Sequence, residues 1–239
     1  MSNAPSPVMP GGNRLLDALP PGERNAIATK IEEIRLEGRK ALSTPGEPIP
    51  SVYFPVRSVV SVLTRVQGTA GIEVATIGNE GLVGVWLSWG AATLHPAELV
   101  QVQVPGTALR MDADRFLDAL SRHRGLARIV RRFTQALVSQ LCQQVACNSL
   151  HSIEERCARW MLLTQDRMGA EEFPLTQEFL AQLLGVRRAS ISVVAGLLQQ
   201  ADVIRYERGR VTVTDRAGLE AVSCECYRVL RGVFDRLTA

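Results

Sequence analysis

Residues 175–215 read LTQEFLAQLLGVRRASISVVAGLLQQADVIRYERGRVTVTD. The spacing predicts a helix, a tight turn, a second helix and a two-stranded hairpin. Thr176 suits an N-cap, since its hydroxyl can accept a bond from an orphan N–H at a helix start. Phe179, Leu180, Leu183 and Leu184 follow at helical spacing, and Gly185 comes where a left-handed residue ends a helix. Ile191, Val194, Ala195 and Leu198 mark the second helix. Its first turn is polar, because Arg187, Arg188, Ser190 and Ser192 all lie off that stripe. Alternating runs at 203–206 and 211–214 flank Arg208-Gly209 as arms of a hairpin, with Arg210 beside the turn. A two-helix unit with a short Gly-containing turn sets its second helix into a DNA major groove, N-terminal residues toward the base edges. Thr176, Arg187, Arg188, Ser190, Ser192, Arg208 and Arg210 are therefore the candidate DNA-binding residues. The same shape also serves as a plain packing unit, and Arg pairs often sit on solvated helix faces.

The 239 residues leave room for one large domain or two modest ones. A hydrophobic content of 46% and a charged content of 21% are ordinary for a folded soluble protein. No run approaches about 18 apolar residues, so no membrane partner is expected. The opening MSNAPSPVMPGG has neither the basic start nor the apolar centre of a signal peptide, and a cytoplasmic location is the expectation. The net charge of +3 says little, but its distribution says more. Eight Arg meet three acids between Arg122 and Arg167, whereas six Arg meet six acids between Glu171 and Arg216. DNA affinity must then come from local placement and from doubling in a dimer, not from a broad basic field.

Five Cys (142, 147, 157, 224 and 226) are an odd number, which fits a reducing cytosol better than a disulfide framework. There is no C-x-x-C pair and no His/Cys cluster at zinc spacing. Cys142, Cys147 and Cys157 occupy helical positions where a buried, inert thiol is usual. Cys224 and Cys226 are two apart in what reads as one helix, so they should point away from each other. No metal ligand, no cofactor and no catalytic residue is assigned.

Along the chain, residues 1–20 read as a disordered lead-in and residues 21–122 as a β-roll. A short helix at about 24–36 precedes strand-like runs at 52–54, 59–64, 73–77, 99–104 and 108–111. Turns at 45–46, Gly68, 78–81 and 105–106 separate the strands, as in an antiparallel barrel or roll. A short helix at 112–120 leads into a long one. There Leu126, Val130, Phe133, Leu137, Leu141 and Val145 recur at spacings of four and three. Such a seam needs a partner, either a parallel copy of itself or the chain's own roll, and the copy is the economical choice. Residues 123–150 are thus the expected dimerisation helix and hinge, with the break at 148–151. Ser152-Ile153-Glu154-Glu155 is a capping box that starts the next helix, and Gly169 stops it. Residues 151–239 form the expected winged helix-turn-helix domain, closed by an amphipathic helix at about 216–237. The fold class is α+β.

In this order of roll, seam-bearing helix, hinge and winged helix-turn-helix, the chain resembles the Crp/Fnr family of bacterial transcription regulators. The resemblance is most specific at Ser152 to Arg156 and across residues 175–209, and weaker at Val52-Tyr53-Phe54-Pro55. It implies homodimers joined through the long helix, with two recognition helices in successive major grooves of double-stranded DNA. By position it makes Thr176 a phosphate contact and Arg188 a reader of guanine, which suits bidentate Arg–guanine pairing. Ala189 stands where the best-known members have Glu and Val193 where they have a second Arg, which implies a different operator. Arg187 replaces the usual Ser cap and is free to donate to phosphate.

Members that bind cyclic AMP carry Gly-Glu at one strand end and Arg-Ser/Thr-Ala about ten residues later. The matching region here reads Gly84-Val85-Trp86 and His95-Pro96-Ala97-Glu98, with no Arg between Arg65 and Arg110. A cyclic phosphate would lack its positive partner, so the resemblance does not extend to that ligand. The effector is left unknown. The iron–sulfur branch uses an N-terminal Cys cluster, and this chain has no Cys before Cys142.

The expected function is homodimeric, sequence-specific transcription regulation, with RNA polymerase as a further partner. The alternative is a small-molecule-binding or regulatory module whose winged domain contacts protein rather than DNA. An enzyme is not expected: the three His are scattered, no Gly-rich loop follows a strand, and no nucleophile elbow is present.

Overall fold

The computed structural model describes residues 11–66 and 71–237. Strands β1 (Glu32–Leu36), β2 (Ala41–Ser43), β3 (Ser51–Pro55), β4 (Val59–Thr64), β5 (Ile72–Ile77), β6 (Glu98–Val104) and β7 (Gly106–Asp112) make two antiparallel sheets, ordered β1-β7-β3 and β2-β6-β4-β5. The expected strands all form, while the turn expected at Gly68 lies outside the described residues. β4 shows why a nearly continuous apolar run is needed here. Alternate residues of a strand face opposite sides. Val60 and Val62 join Val100 and Val102 in the roll's interior, whereas Val59 and Leu63 join Leu99 in a core shared with the C-terminal domain.

Two expectations fail at the N-terminus. Part of the 1–20 segment is ordered: α1 (Arg14–Asp17) buries Leu15 and Leu16 against the roll, and the Asn13 amide donates to the carbonyls of Pro55 (2.9 Å) and Gly81 (3.0 Å). The first ten residues lie outside the described ones. The helix expected at 24–36 is instead α2 (Pro21–Ala28) followed by β1, because residues 32–36 pair with β7 along their whole length. Their Glu and Arg tolerate a helix, and tertiary pairing overrides that preference.

Helix α3 (Ala113–Arg122) leads into α4 (Arg124–Leu150). The α4 N-terminus is held from outside, as the Glu23 carboxylate accepts from Gly125 N (3.0 Å) and Leu126 N (2.9 Å) and sets negative charge at the positive end of the helix. The seam is corrected here. Leu126, Val130, Phe133 and Leu137 are buried in the core of the chain's own roll, and Leu141 is half-buried against it. Phe133 lies so near the roll that a Cβ on Gly81 would sit 2.4 Å from its ring. The four buried positions cannot meet a second copy, and of the six only Val145 is freely exposed, at 70%.

The break between helices is shorter than expected, because α4 runs through Leu150 and only His151 and Ser152 separate it from α5 (Ile153–Met168). The capping box is complete: Glu155 N–H donates to Ser152 Oγ (3.2 Å) and Ser152 N–H to Glu155 Oε2 (2.7 Å). Beyond α5 come β8 (Glu172–Pro174), α6 (Gln177–Leu184), α7 (Arg188–Gln200), β9 (Ile204–Glu207) and β10 (Arg210–Val213). The helix expected at 216–237 is two, α8 (Arg216–Val222) and α9 (Cys226–Asp235), broken at Ser223–Glu225. The break lets α9 turn back and pack against both α4 and α5. Among the described residues no single helix is long and apolar enough to cross a membrane.

Candidate nucleic-acid interface

Helices α5, α6 and α7 share one core, in which Phe179, Leu180, Leu183 and Leu184 meet Ile191, Val194, Leu198 and Trp160. Thr176 caps α6 as expected, accepting from Phe179 N–H at 3.2 Å. Gly185 closes the helix at φ 66°, a left-handed conformation that favours glycine, and the chain bends by 113° into α7. The wing is the antiparallel sheet β8-β10-β9. Arg208 (φ 47°) and Gly209 (φ 74°) turn its hairpin, both left-handed as a two-residue type I′ turn requires.

Three polar features converge. Ser192 Oγ donates to Gln177 Oε1 (2.6 Å), which sets the first turns of α7 beside the start of α6. A Cβ on Gly209 would lie 3.5 Å from Thr176 Cγ2, so the hairpin tip flanks the same point. Tyr206, which the sequence did not single out, pins the wing: its hydroxyl donates to Leu175 O (2.6 Å) and its N–H to Gln199 Oε1 (3.0 Å). Arg187 is the N-cap of α7 without a side-chain cap bond, so the helix start is left with open N–H groups beside two Arg. Arg187, Arg188 and Arg208 are exposed and form no ion pair among the described residues.

Two candidates fare less well. Ser190, in the first turn of α7, is half-buried. Arg210 is engaged by Glu172 across the β8–β10 pair, and this guanidinium holds the Glu172 carboxyl below its usual range. An Arg pointing along its own sheet is a wing staple, not a free cation. Adjacent-strand pairing is invisible to a reading that saw β10 but not β8.

The winged domain is seated on the roll through a polar patch that the sequence did not reveal. Trp160 Nε1 donates to Glu73 Oε1 (3.0 Å), and Glu73 Oε2 lies 2.6 Å from Ser61 Oγ. Burial pushes the Glu73 carboxyl up to about 7, against the opposing pull of Ser61, Trp160, Arg159 and Arg167. Arg167, also buried, donates through Nε to Glu80 Oε1 (2.9 Å) and through Nη1 to Thr76 Oγ1. Nearby, Arg39 lies over the Phe179 ring at 5.3 Å, and the Gly185 turn rests on Ile72.

In the roll, the region aligned with the phosphate cassette is apolar. Val85 and Leu87 belong to a 3-10 turn (Val85–Trp89) and are buried in the roll's core, while Trp86 packs edge-on to Trp89 at 6.5 Å.

Residues 155–222 match the Crp-like helix-turn-helix domain. No curated protein matches the chain by sequence. In fold the chain is similar to FixK2 from Bradyrhizobium japonicum, at 13% identity and TM-score 0.67 over 81% of this chain and 98% of that one. It is also similar to TTHB099, a CRP-family transcriptional regulator from Thermus thermophilus, at 17% identity and TM-score 0.64 over 80% and 96%. A third likeness is to the c-di-GMP-responsive global regulator CLP of Xanthomonas campestris, at 16% identity and TM-score 0.61 over 80% and 98%. The chain thus carries a Crp-like helix-turn-helix domain on the fold of the Crp/Fnr family of transcription regulators.

Proposed function

We propose that the protein is a homodimeric, sequence-specific DNA-binding transcription regulator that does not answer to cyclic AMP. The convergence of the α6 start, the α7 first turn and the hairpin tip, with Arg187, Arg188 and Arg208 unpaired around it, carries this reading. Arg188 reads guanine from the first turn of α7, and Arg187, Thr176 and Arg208 hold phosphates. Val193, 64% exposed one turn further on, suits a thymine methyl group. Regulation then proceeds beside RNA polymerase on the same promoter.

Arg188→Ala is expected to lower operator affinity by about 1–3 kcal/mol and to relax choice at one base pair per half-site. Arg187→Ala should weaken all sequences alike and flatten the salt slope. Electrophoretic shifts on genomic promoter fragments, repeated with cyclic AMP, test all of this; the nucleotide should leave the shift unchanged. Equal loss of specific and non-specific binding in Arg188→Ala would sink the base contact. A complete absence of salt-sensitive shifting would favour a protein partner, for which exposed Val193 and Leu197 offer an apolar surface.

The dimer contact moves to the outer face of α4. Arg131, Gln135, Val138, Cys142, Val145 and Ser149 are exposed and recur at spacings of four and three, the pattern of a coiled-coil seam. Val138 and Val145 are its apolar residues, 48% and 70% exposed. Val138→Glu combined with Val145→Glu is expected to give folded monomers in sedimentation, because like charges then face each other across the axis. A dimer that survives both changes would place the interface elsewhere.

A further inference from the structure

Cys147, His151, Cys224 and Cys226 meet in space although 77 residues separate Cys147 from Cys224. Cys147 and His151 stand one turn apart at the end of α4. The break between α8 and α9 frees Cys224 and Cys226 from a common helix, so both thiols reach the same point. Their sulfur atoms and the His151 imidazole all lie within 4.8 Å of one another. Cys147 Sγ is 3.6 Å from Cys224 Sγ, and Cys226 Sγ is 3.5 Å from His151 Nδ1. A tetrahedral zinc ion with its usual Zn–S and Zn–N lengths sets S···S at about 3.8 Å and S···N at about 3.6 Å. The spacing is that of a ligand shell.

The surroundings match as well. His151 Nε2 is 3.3 Å from Glu225 Oε2, so a proton on Nε2 is shared with the carboxylate and the Nδ1 lone pair faces the sulfurs. Gln143 Nε2 donates to Cys226 Sγ at 3.0 Å, as suits a thiolate. All three Cys are buried, and with His151 they supply the four ligands of a tetrahedral site. Three thiolates and a divalent cation leave one negative charge, and the buried Arg159 guanidinium, whose Nε has no hydrogen-bond partner among the described residues, lies within electrostatic reach of Cys147 and Cys224.

We propose that Cys147, His151, Cys224 and Cys226 bind one zinc ion as a closed structural site. Binding releases the three thiol protons to solvent and clamps the α4–α5 junction to the α8–α9 junction. The site stands whether or not the winged domain reads DNA.

The full-length protein, purified under reducing conditions and without chelator, is expected to carry one zinc per chain by elemental mass spectrometry. Cys147→Ser, Cys226→Ser and His151→Ala should each lose most of it, while Cys142→Ser, altered on the same helix outside the cluster, should keep it. Cobalt added to the reduced, metal-stripped wild type should give the intense visible bands of a tetrahedral, thiolate-rich site, which answers the question even where a variant folds poorly. Zinc retained in the cluster variants, or native protein that binds neither zinc nor cobalt, would overturn the proposal. So would a Cys147–Cys224 disulfide as the stable state of protein prepared under reducing conditions.

Discussion

Replacing Arg167 with Met is expected to destabilise the protein by about 3–5 kcal/mol, the usual loss when one partner of a buried ion pair is removed. Arg167 and Glu80 are each only 4% exposed. Among the described residues, the substitution leaves the Glu80 carboxylate with the Gly78 N–H (3.2 Å) as its remaining hydrogen-bond partner, on a side chain that is almost wholly buried. It also removes the guanidinium that lies 5.6 Å from the centre of the Phe234 ring. Replacing both residues with Met should recover most of the loss, since no charge is then stranded. Urea unfolding of the two variants decides this. A single-variant loss below about 1 kcal/mol would mean that Glu80 finds another partner or a proton. Because the pair joins the roll to α5, part of the loss should appear as separation of the two domains before either unfolds.

Glu73 should make that same junction sensitive to pH. Ser61 has one hydroxyl proton but two close acceptors, Glu73 Oε2 at 2.6 Å and Gln103 Oε1 at 2.8 Å. A proton on Glu73 resolves the conflict: the carboxyl donates to Ser61 Oγ, and Ser61 donates on to Gln103. Burial raises this carboxyl from 4.5 to about 7, a shift worth on the order of 3 kcal/mol. The folded state keeps a proton that the unfolded chain gives up near pH 4.5. The contribution is therefore whole below about 4.5 and disappears as pH rises through about 7. Glu73→Gln, permanently neutral, should flatten the dependence of unfolding free energy on pH across that window. Parallel pH profiles for the two proteins would remove Glu73 from the account.

Much of the fold was legible because local chemistry and tertiary structure agree. The strand runs, the Ser152 capping box and the Thr176–Gly185 helix each carry their own start, stop and periodicity. The start of α7 was legible for the same reason, since a polar first turn on an apolar-striped helix stands out in sequence. What failed was decided by neighbours far along the chain. The 126–137 stripe needed an apolar partner, and sequence does not say whether that partner is a second copy or the roll. Arg210 read as a free cation because β8, only three residues long, gives no periodic signal. Nothing in the sequence marks Glu73, Glu80, Arg159 and Arg167 as buried, because burial of a charge follows from a partner on another element. The sulfur cluster was hidden by one helix break, since Ser223-Cys224-Glu225 carries neither Gly nor Pro to mark it.

The polypeptide crosses between the two halves twice, forward at His151–Ser152 and back at Ser223–Glu225, and the two crossings lie side by side with Cys147 and Cys224 sulfurs 3.6 Å apart. A body held by one strand of chain can tilt, twist and wander. Held by two adjacent strands, it swings like a door on paired pins, about the line that passes through both. Any turn of α7 against the roll is thereby confined to rotation about that line, and it begins only when the Trp160–Glu73 and Arg167–Glu80 contacts let go.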